Sequence, residues 1–88
     1  MAYFAEFTDT YAGEANYCWV KLAYIESAND LKTAMKKARA QFGLTGIRGD
    51  IVAKYGDETH WKPRGSCTIL MVRWNDCPAE SRYDAPVI

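Results

Sequence analysis

The chain has 88 residues, of which 49% are hydrophobic and 25% are charged, and its formal net charge is zero. This length and composition predict one small folded domain with a thin core and exclude a chain that is disordered throughout. No apolar run reaches the roughly 18 residues that a membrane-spanning helix needs, and the N-terminus lacks the features of a signal peptide, so we expect a cytoplasmic protein.

Two strands are predicted at the start of the chain. Residues 3–8 alternate well enough for a first strand, and residues 16–26 form a longer second strand that is rich in aromatic and branched side chains. Residues 9–15 between them contain many turn formers, which predicts a loop or a wide hairpin connection. Strict alternation along the second strand places Tyr17 and Trp19 on one face.

One segment, residues 28–42, has the periodicity of a helix. Ser27 or Asn29 is expected to cap its start, with Asp30 in the first turn. Gly43 is expected to end the helix. Apolar residues recur on one helical face at Leu31, Ala34, Met35, Ala38 and Phe42.

Three more strands are predicted after the helix. The first covers residues 47–55 and is followed by a turn at residues 56–59. Residues 60–62 are expected to form a short edge strand, because Pro63 removes a hydrogen-bond donor from the ladder. Residues 66–74 form the last and most apolar strand.

These elements predict a single α+β domain over residues 1–74, followed by an irregular tail over residues 75–88. One amphipathic helix packs on a mainly antiparallel sheet of four or five strands, in the order ββαββ(β). A lone helix cannot cover both faces of such a sheet, so either an exposed aromatic patch or a homodimer is expected.

Catalysis and metal binding are not indicated by the sequence. Asp57, His60 and Cys67 include the residue types of a thiol nucleophile site, but nothing in the sequence places them together. The cysteines and the histidine lack the close pairs typical of zinc sites. We therefore expect no enzymatic activity, no catalytic residues, no metal and no cofactor.

Cys18 and Cys67 lie in apolar strand patterns and are expected to be buried, whereas Cys77 is expected to be exposed.

The zero net charge hides an uneven distribution along the chain. Residues 1–30 carry five acidic residues and one lysine, residues 31–73 carry nine basic and three acidic residues, and residues 74–88 are acidic again. Charge pairing across the fold is the simpler interpretation. The alternative is a polarised surface that docks on a charged partner.

Aromatic, acidic and amide residues crowd together in residues 9–20. Interface centres favour tyrosine, tryptophan and arginine, so this run favours protein binding. A structural role is the alternative, in which Asp9 and Asn16 bond to turn backbone and Trp19 lies under the helix. With the basic helix face and later aromatic and basic residues, the predicted partner-binding set is Asp9, Tyr11, Glu14, Asn16, Tyr17, Trp19, Lys32, Lys36, Arg39, Trp61 and Arg64.

Nucleic-acid binding is the main competing interpretation. Tyr17 and Trp19 on one strand face would form a platform that stacks on bases, and the basic middle of the chain would follow a phosphate backbone. Trp61, Arg64 and Trp74 would add to this platform. The zero net charge and the acidic first third oppose contact with a polyanion, so direct nucleic-acid binding is not expected.

The run Asp9-Thr10-Tyr11-Ala12-Gly13-Glu14-Ala15-Asn16-Tyr17-Cys18-Trp19-Val20 resembles the opening signature of short proteins carried by bacteriophages and prophages. Residues 43–48 and 55–57 are more weakly similar, and Ala12 stands where a second glycine is expected. The resemblance implies a small accessory protein and supplies no established site residues. In size and compactness the chain also resembles anti-CRISPR proteins.

These resemblances imply a non-enzymatic protein that binds a host defence complex, such as the CRISPR surveillance complex Cascade or an effector subunit, and blocks it sterically. A small nucleic-acid-binding regulator is the alternative function.

Overall fold

The computed structural model describes residues 3–74 and 85–88, in which one helix packs on a five-stranded antiparallel sheet. The predicted α+β class and order of elements are confirmed. In chain order the elements are β1 (Tyr3–Tyr11), β2 (Glu14–Ile25), α1 (Leu31–Gln41), β3 (Gly49–Tyr55), β4 (Glu58–Pro63) and β5 (Thr68–Trp74). The strands lie side by side in the order β2-β1-β5-β4-β3.

The sheet joins a hairpin to a three-stranded meander. Strand β1 pairs with β2, and β3, β4 and β5 pair in succession, so these contacts are between neighbours in sequence. The two units meet where β1 pairs with β5, from Tyr3 opposite Trp74 to Asp9 opposite Thr68. Strand β4 lies between β3 and β5, so the prediction of an edge strand at residues 60–62 is wrong.

The helix begins later than predicted, because Asp30 is its N-cap. The backbone of Asp30 is extended, and its carboxylate accepts a hydrogen bond from the Thr33 N–H at 2.7 Å. The prediction of a cap at Ser27 or Asn29 is therefore wrong. At the other end, Gly43 has a φ of +73° and follows the last turn, as predicted.

The main core lies between α1 and one face of the sheet, which we call the helix side. Ala34 and Ala38 are the buried residues of α1, and their small side chains let the helix approach the strands closely. The helix packs mainly against β5, β2 and β1, so the β3 end of the sheet has little helical cover. The sheet and loop residues of this core are Tyr3, Ala5, Phe7, Ala23, Ile25, Ala28, Leu44, Trp61, Leu70 and Val72.

The opposite face of the sheet carries a smaller apolar cluster and a partly buried ion pair. Phe4 and Tyr24 are in ring contact at 4.9 Å between centroids, and Ala85 packs with them. The carboxylate of Glu6, a residue only 8% exposed, accepts a hydrogen bond at 3.0 Å from the guanidinium of Arg73. The guanidinium also lies 5.1 Å from the centroid of the Phe4 ring.

The described end of the chain, residues 85–88, runs along β2. The Tyr24 N–H donates to the Pro86 carbonyl, and the Ile88 N–H donates to the Tyr24 carbonyl, both at 2.7 Å. The side chain of Ile88 packs against the main core. The rest of the predicted tail, residues 75–84, lies outside the described residues.

The cysteines do not lie where the apolar pattern placed them. Cys18 and Cys67 are both exposed free thiols, so the prediction that they are buried is wrong. Cys18 lies in an irregular part of β2, and Cys67 precedes the first residue of β5. Cys77 lies outside the described residues.

Within the parts of the chain that the structure describes, no helix has the length and apolar character needed to cross a bilayer.

Candidate functional site

The β1–β2 hairpin closes through a turn of two residues. Tyr11 pairs with Glu14, which leaves only Ala12 and Gly13 between the strands. Both turn residues have positive φ angles, of +55° and +85°. Positive φ at both central residues is characteristic of the type I′ turn, whose twist matches that of the flanking strands. The prediction of a loop or wide connection over residues 9–15 is therefore wrong.

Asp9 organises an irregularity in the pairing of β1 with β2. The register shifts on either side of Asp9, and Tyr17 on the facing strand has a φ of +57°. The Asp9 carboxylate accepts hydrogen bonds from the side-chain amide of Asn16 and from the N–H of Cys18, each at 2.9 Å. These bonds, led by that from Asn16, lower the pKa of Asp9.

The left-handed backbone at Tyr17 separates this side chain from Trp19. The Tyr17 hydroxyl lies 4.0 Å from the sulfur of Met71, which is paired with Glu6 on the face away from the helix. Trp19 instead packs edge-on against Phe7 on the helix side, at 5.4 Å between ring centroids. The prediction that Tyr17 and Trp19 share one face is wrong, because the irregularity breaks the alternation.

Four large side chains near the end of the hairpin are exposed, and we call them the aromatic hairpin surface. Their exposed fractions are 77% for Tyr11, 53% for Tyr17, 40% for Trp19 and 43% for Val20. Desolvation raises the pKa of Tyr17, and the charge of Glu6 acts in the same direction. The phenol therefore stays protonated at neutral pH and can donate a hydrogen bond to a partner.

The polar residues of the hairpin hold this surface in place. Asp9 and Asn16 both have structural roles, but Asp9 bonds to the backbone of β2 at Cys18 and Asn16 bonds to the Asp9 side chain rather than to turn backbone. The Thr8 hydroxyl adds a bond of 2.7 Å to the Trp19 carbonyl. Glu14 is exposed beside the turn. All six predicted hairpin residues face solvent at least in part: Asp9 is half-buried, and the other five are exposed.

The other predicted site residues lie towards the opposite edge of the sheet or on α1. Lys32 and Lys36 are exposed on the helix, and Arg39 lies over the ring of Trp61 at 5.4 Å from its centroid. Trp61 is only 5% exposed and belongs to the core, so little of its ring is open to a partner. Arg64 is exposed and ion-paired. The predicted set therefore divides into two groups and does not form one surface.

Sequence reasoning missed a second exposed apolar segment on β3. Ile51, Val52 and Tyr55 each expose more than half of their surface. The adjacent pair Ile51-Val52 carried the signal, because two consecutive residues of a regular strand cannot both point into the same core.

The residue types of a thiol nucleophile site are not brought together. His60 contacts Glu58 and the ring of Tyr55 on the face away from the helix. Cys67 is exposed beyond the start of β5, near Thr10, whose N–H donates to the Cys67 carbonyl at 2.9 Å. In residues 3–74 and 85–88, no group of three or more His, Cys, Asp or Glu side chains is placed to hold a metal ion.

Comparison with known proteins adds no relative: no family model, no curated protein and no solved structure matches this chain.

Proposed function

We propose that this protein is a non-enzymatic phage or prophage accessory protein that binds a host defence complex and blocks it sterically, in the manner of an anti-CRISPR protein acting on a CRISPR surveillance complex. The observation that carries the binding role is the aromatic hairpin surface, in which Tyr17 is held at a positive φ by the Asp9 network. The phage origin and the class of target rest on the resemblance of residues 9–20.

The backbone strain at Tyr17 supports a role in recognition. A bulky residue in the left-handed region costs on the order of 1–3 kcal/mol, and such residues cluster at functional sites. Here the strained residue places one aromatic side chain on each face of the hairpin, Tyr17 on one and Trp19 on the other. A hairpin with exposed aromatic residues on both faces fits a cleft in a partner, where it buries both at once.

The charge of the hairpin favours a protein over a nucleic acid as its direct partner. Asp9 and Glu14 lie beside the exposed aromatic residues, and Lys21 is the only basic residue between residues 3 and 31. An acidic hairpin repels a phosphate backbone and is attracted to basic channels that bind nucleic acids. Occupying such a channel would block the target without any catalytic group.

Affinity capture tests this function. The tagged protein is incubated with a nuclease-treated lysate of a bacterial host that carries an active CRISPR system, and with a purified surveillance complex. We expect the wild type to retain a protein complex and to reduce its binding to target DNA. Tyr11→Ala should weaken capture about 30-fold, the equivalent of about 2 kcal/mol for an interface hot spot. Recovery of no protein partner would refute the proposal.

Matched variants separate binding from folding. Tyr11 is the most exposed aromatic residue of the hairpin, so Tyr11→Ala should change the unfolding free energy by less than about 0.5 kcal/mol. Val87→Ala, which removes another exposed apolar side chain outside the aromatic hairpin surface, should leave capture unchanged. A partner that is lost on nuclease treatment would favour the nucleic-acid-binding regulator instead.

A further inference from the structure

A groove lies on the helix side of the sheet, between α1 and β3. Its volume is about 610 Å³, which is within the usual range for binding pockets. It exists because α1 packs over the other end of the sheet and leaves β3 uncovered. Apolar side chains of Leu31, Met35, Ile51 and Trp61 line the groove.

The rim of the groove is positively charged. Lys32, Arg39 and Lys54 line it, and Asp50 is the one acidic residue among its described lining. The Asp50 carboxylate is already held by the Arg64 guanidinium in two hydrogen bonds of 2.8 and 3.0 Å. This bonding lowers the pKa of Asp50, and the positive charge of Arg64 balances the negative charge of Asp50. Three cations therefore face an apolar floor without a compensating anion in the groove.

Arg39 is the most constrained of these cations. Its guanidinium is held over the Trp61 ring, and its Nε is buried without a hydrogen-bond partner among the described residues. A ligand in the groove cannot reach this buried atom, but a carboxylate is the acceptor that the rest of the guanidinium binds best. A ligand carrying a carboxylate beside an apolar group would match both the floor and the rim.

The backbone of β3 offers the second half of the site. In the described part of the chain β3 pairs only with β4, and the Arg64 N–H donates to the Arg48 carbonyl at 2.8 Å. The next pair joins Gly49 to Pro63, which has no N–H. Because bonded and non-bonded pairs alternate in an antiparallel ladder, the N–H and C=O groups of Gly49 and Ile51 point to the outer edge. They are placed to pair with an added strand.

We propose that the groove binds an extended acidic peptide segment of a partner protein, which adds a short strand to β3 at residues 49–51. The peptide's acidic side chains would face the helix side, beside Arg39 and Lys54, and its alternate apolar side chains would lie on the opposite face of the sheet. The register irregularity between Ile51 and Ala53 ends the regular ladder and limits the added strand to this short stretch. Strand addition of this kind takes affinity from main-chain bonds and specificity from alternate side chains.

A second copy of the chain fits this edge less well than an acidic peptide. Pairing of two β3 strands would bring two sets of groove cations together, and β3 offers only Asp50, already bound to Arg64, in return. Like charges placed across an added strand destabilise the pairing. The site is separate from the aromatic hairpin surface, so it stands or fails independently of the proposed function.

Peptide binding measured by fluorescence anisotropy tests the site. The probes are a labelled peptide of alternating Glu and Val and a matched peptide of alternating Lys and Val. We expect saturable binding of the Glu–Val peptide alone. Lys54→Gln should weaken this binding about tenfold or more, and Arg39→Gln should do the same. Lys36 lies on the same helix as Arg39 but outside the groove. Lys36→Gln also removes one positive charge, and it should have little effect on binding of the Glu–Val peptide.

Amide hydrogen exchange distinguishes strand addition from general charge attraction. The Glu–Val peptide should slow exchange at Gly49 and Ile51, and Tyr11→Ala should not alter this protection. Lys54 is exposed, so its variant stays folded even if Arg39→Gln perturbs Trp61. Any of four results would overturn the proposal. Two of them are a loss of peptide binding in Lys36→Gln as large as that in Lys54→Gln, and binding of the Lys–Val peptide as tight as that of the Glu–Val peptide. The other two are no protection of the Gly49 and Ile51 amides and tighter binding of a single-stranded oligonucleotide.

Discussion

Ala12 and Tyr17 are the two non-glycine residues of the described chain with positive φ, and both lie in the β1–β2 hairpin. In the left-handed region the Cβ atom crowds the following carbonyl oxygen. The Asp9 carboxylate accepts hydrogen bonds from Asn16 and from the N–H of Cys18, and these bonds hold the backbone around Tyr17. Ala12 bears the strain as a consequence of the short turn.

Replacing Ala12 with glycine should stabilise the protein. Glycine removes the steric cost at a φ of +55°, and its greater freedom in the unfolded chain offsets part of that gain. We expect the unfolding free energy in urea to rise by about 0.5–1 kcal/mol. Gly13→Ala is the matched control and should destabilise the protein. A Cβ at residue 13 would meet no other atom, but the backbone φ of +85° is unfavourable for any residue with a side chain. A less stable Ala12→Gly variant would contradict this account of the turn.

Acid should weaken the hairpin through Asp9. The pKa of Asp9 is lower in the folded protein than its ordinary value of 3.8, because the folded state donates hydrogen bonds to its carboxylate. The stability that this carboxylate contributes is therefore complete above pH 3.8 and is lost as the pH falls through the lowered folded value. We expect Asp9→Asn to be less stable than the wild type at neutral pH, and the gap to narrow in acid. A gap that is constant from neutral pH to about pH 2 would contradict the role of the charge.

At the level of elements, the helix was predictable and the hairpin was not. Leu31, Ala34, Met35 and Ala38 of α1 pack against the core, so their spacing in the sequence reflects the packing of the helix. The cap was missed because Ser27, Asn29 and Asp30 are all capable of capping and lie within four positions. The turn was missed because turn-forming residues extend through residues 9–15, although only Ala12 and Gly13 form the turn.

The candidate site was predictable in composition and not in arrangement. The exposed aromatic residues of the hairpin were identified from residue type alone. The sheet face on which each aromatic side chain lies could not be predicted, because a strand irregularity held by a side-chain carboxylate leaves no periodic signal in the sequence. Strand β4 was placed at an edge because of Pro63, yet a proline is tolerated at the end of an inner strand where no ladder bond is required of it.

The contact between β3 and β4 depends on the absence of a side chain at residue 49. A Cβ on Gly49 would lie 2.3 Å from the Trp61 ring and 2.6 Å from the Lys62 carbonyl oxygen. Gly49→Ala should therefore displace the Trp61 ring and destabilise the protein by about 1–3 kcal/mol. Denaturant unfolding followed by tryptophan fluorescence measures both effects.

Val52→Ala provides the control for that variant. Val52 is more than half exposed on the same strand, so its truncation should change stability by less than about 0.5 kcal/mol. A Gly49→Ala variant as stable as Val52→Ala would show that the two strands separate easily, and the groove would then be a softer site than its geometry indicates.

On the scale of the whole molecule, the two candidate surfaces lie at opposite edges of the sheet. The aromatic hairpin surface lies near the end of the β1–β2 hairpin, in which β2 is the outer strand, and the groove belongs to β3, the last strand on the other side. Four strand spacings of about 4.8 Å place the two edges about 19 Å apart. A partner seated on one edge therefore leaves the other accessible.

The described end of the chain contributes to stability through contacts distant in sequence. Ile88 packs against the core and bonds to the backbone of β2, whereas the neighbouring Val87 side chain is 59% exposed. Ile88→Ala should lower the unfolding free energy by about 1–2 kcal/mol. Val87→Ala at the adjacent position should have little effect. Equal losses from the two variants would contradict the assignment of Ile88 to the core.

The pairing of β1 with β5 has a consequence for the order of folding. Strand β1 is synthesised before β5, but one of its two ladders requires residues 68–74. The hairpin therefore keeps an unpaired inner edge until the meander has been translated. Closing this long loop makes the pairing of distant segments the slow step, with a rate typical of folds with high contact order. The nascent hairpin, with its exposed aromatic residues, is therefore the species most prone to misassociation before the chain is complete.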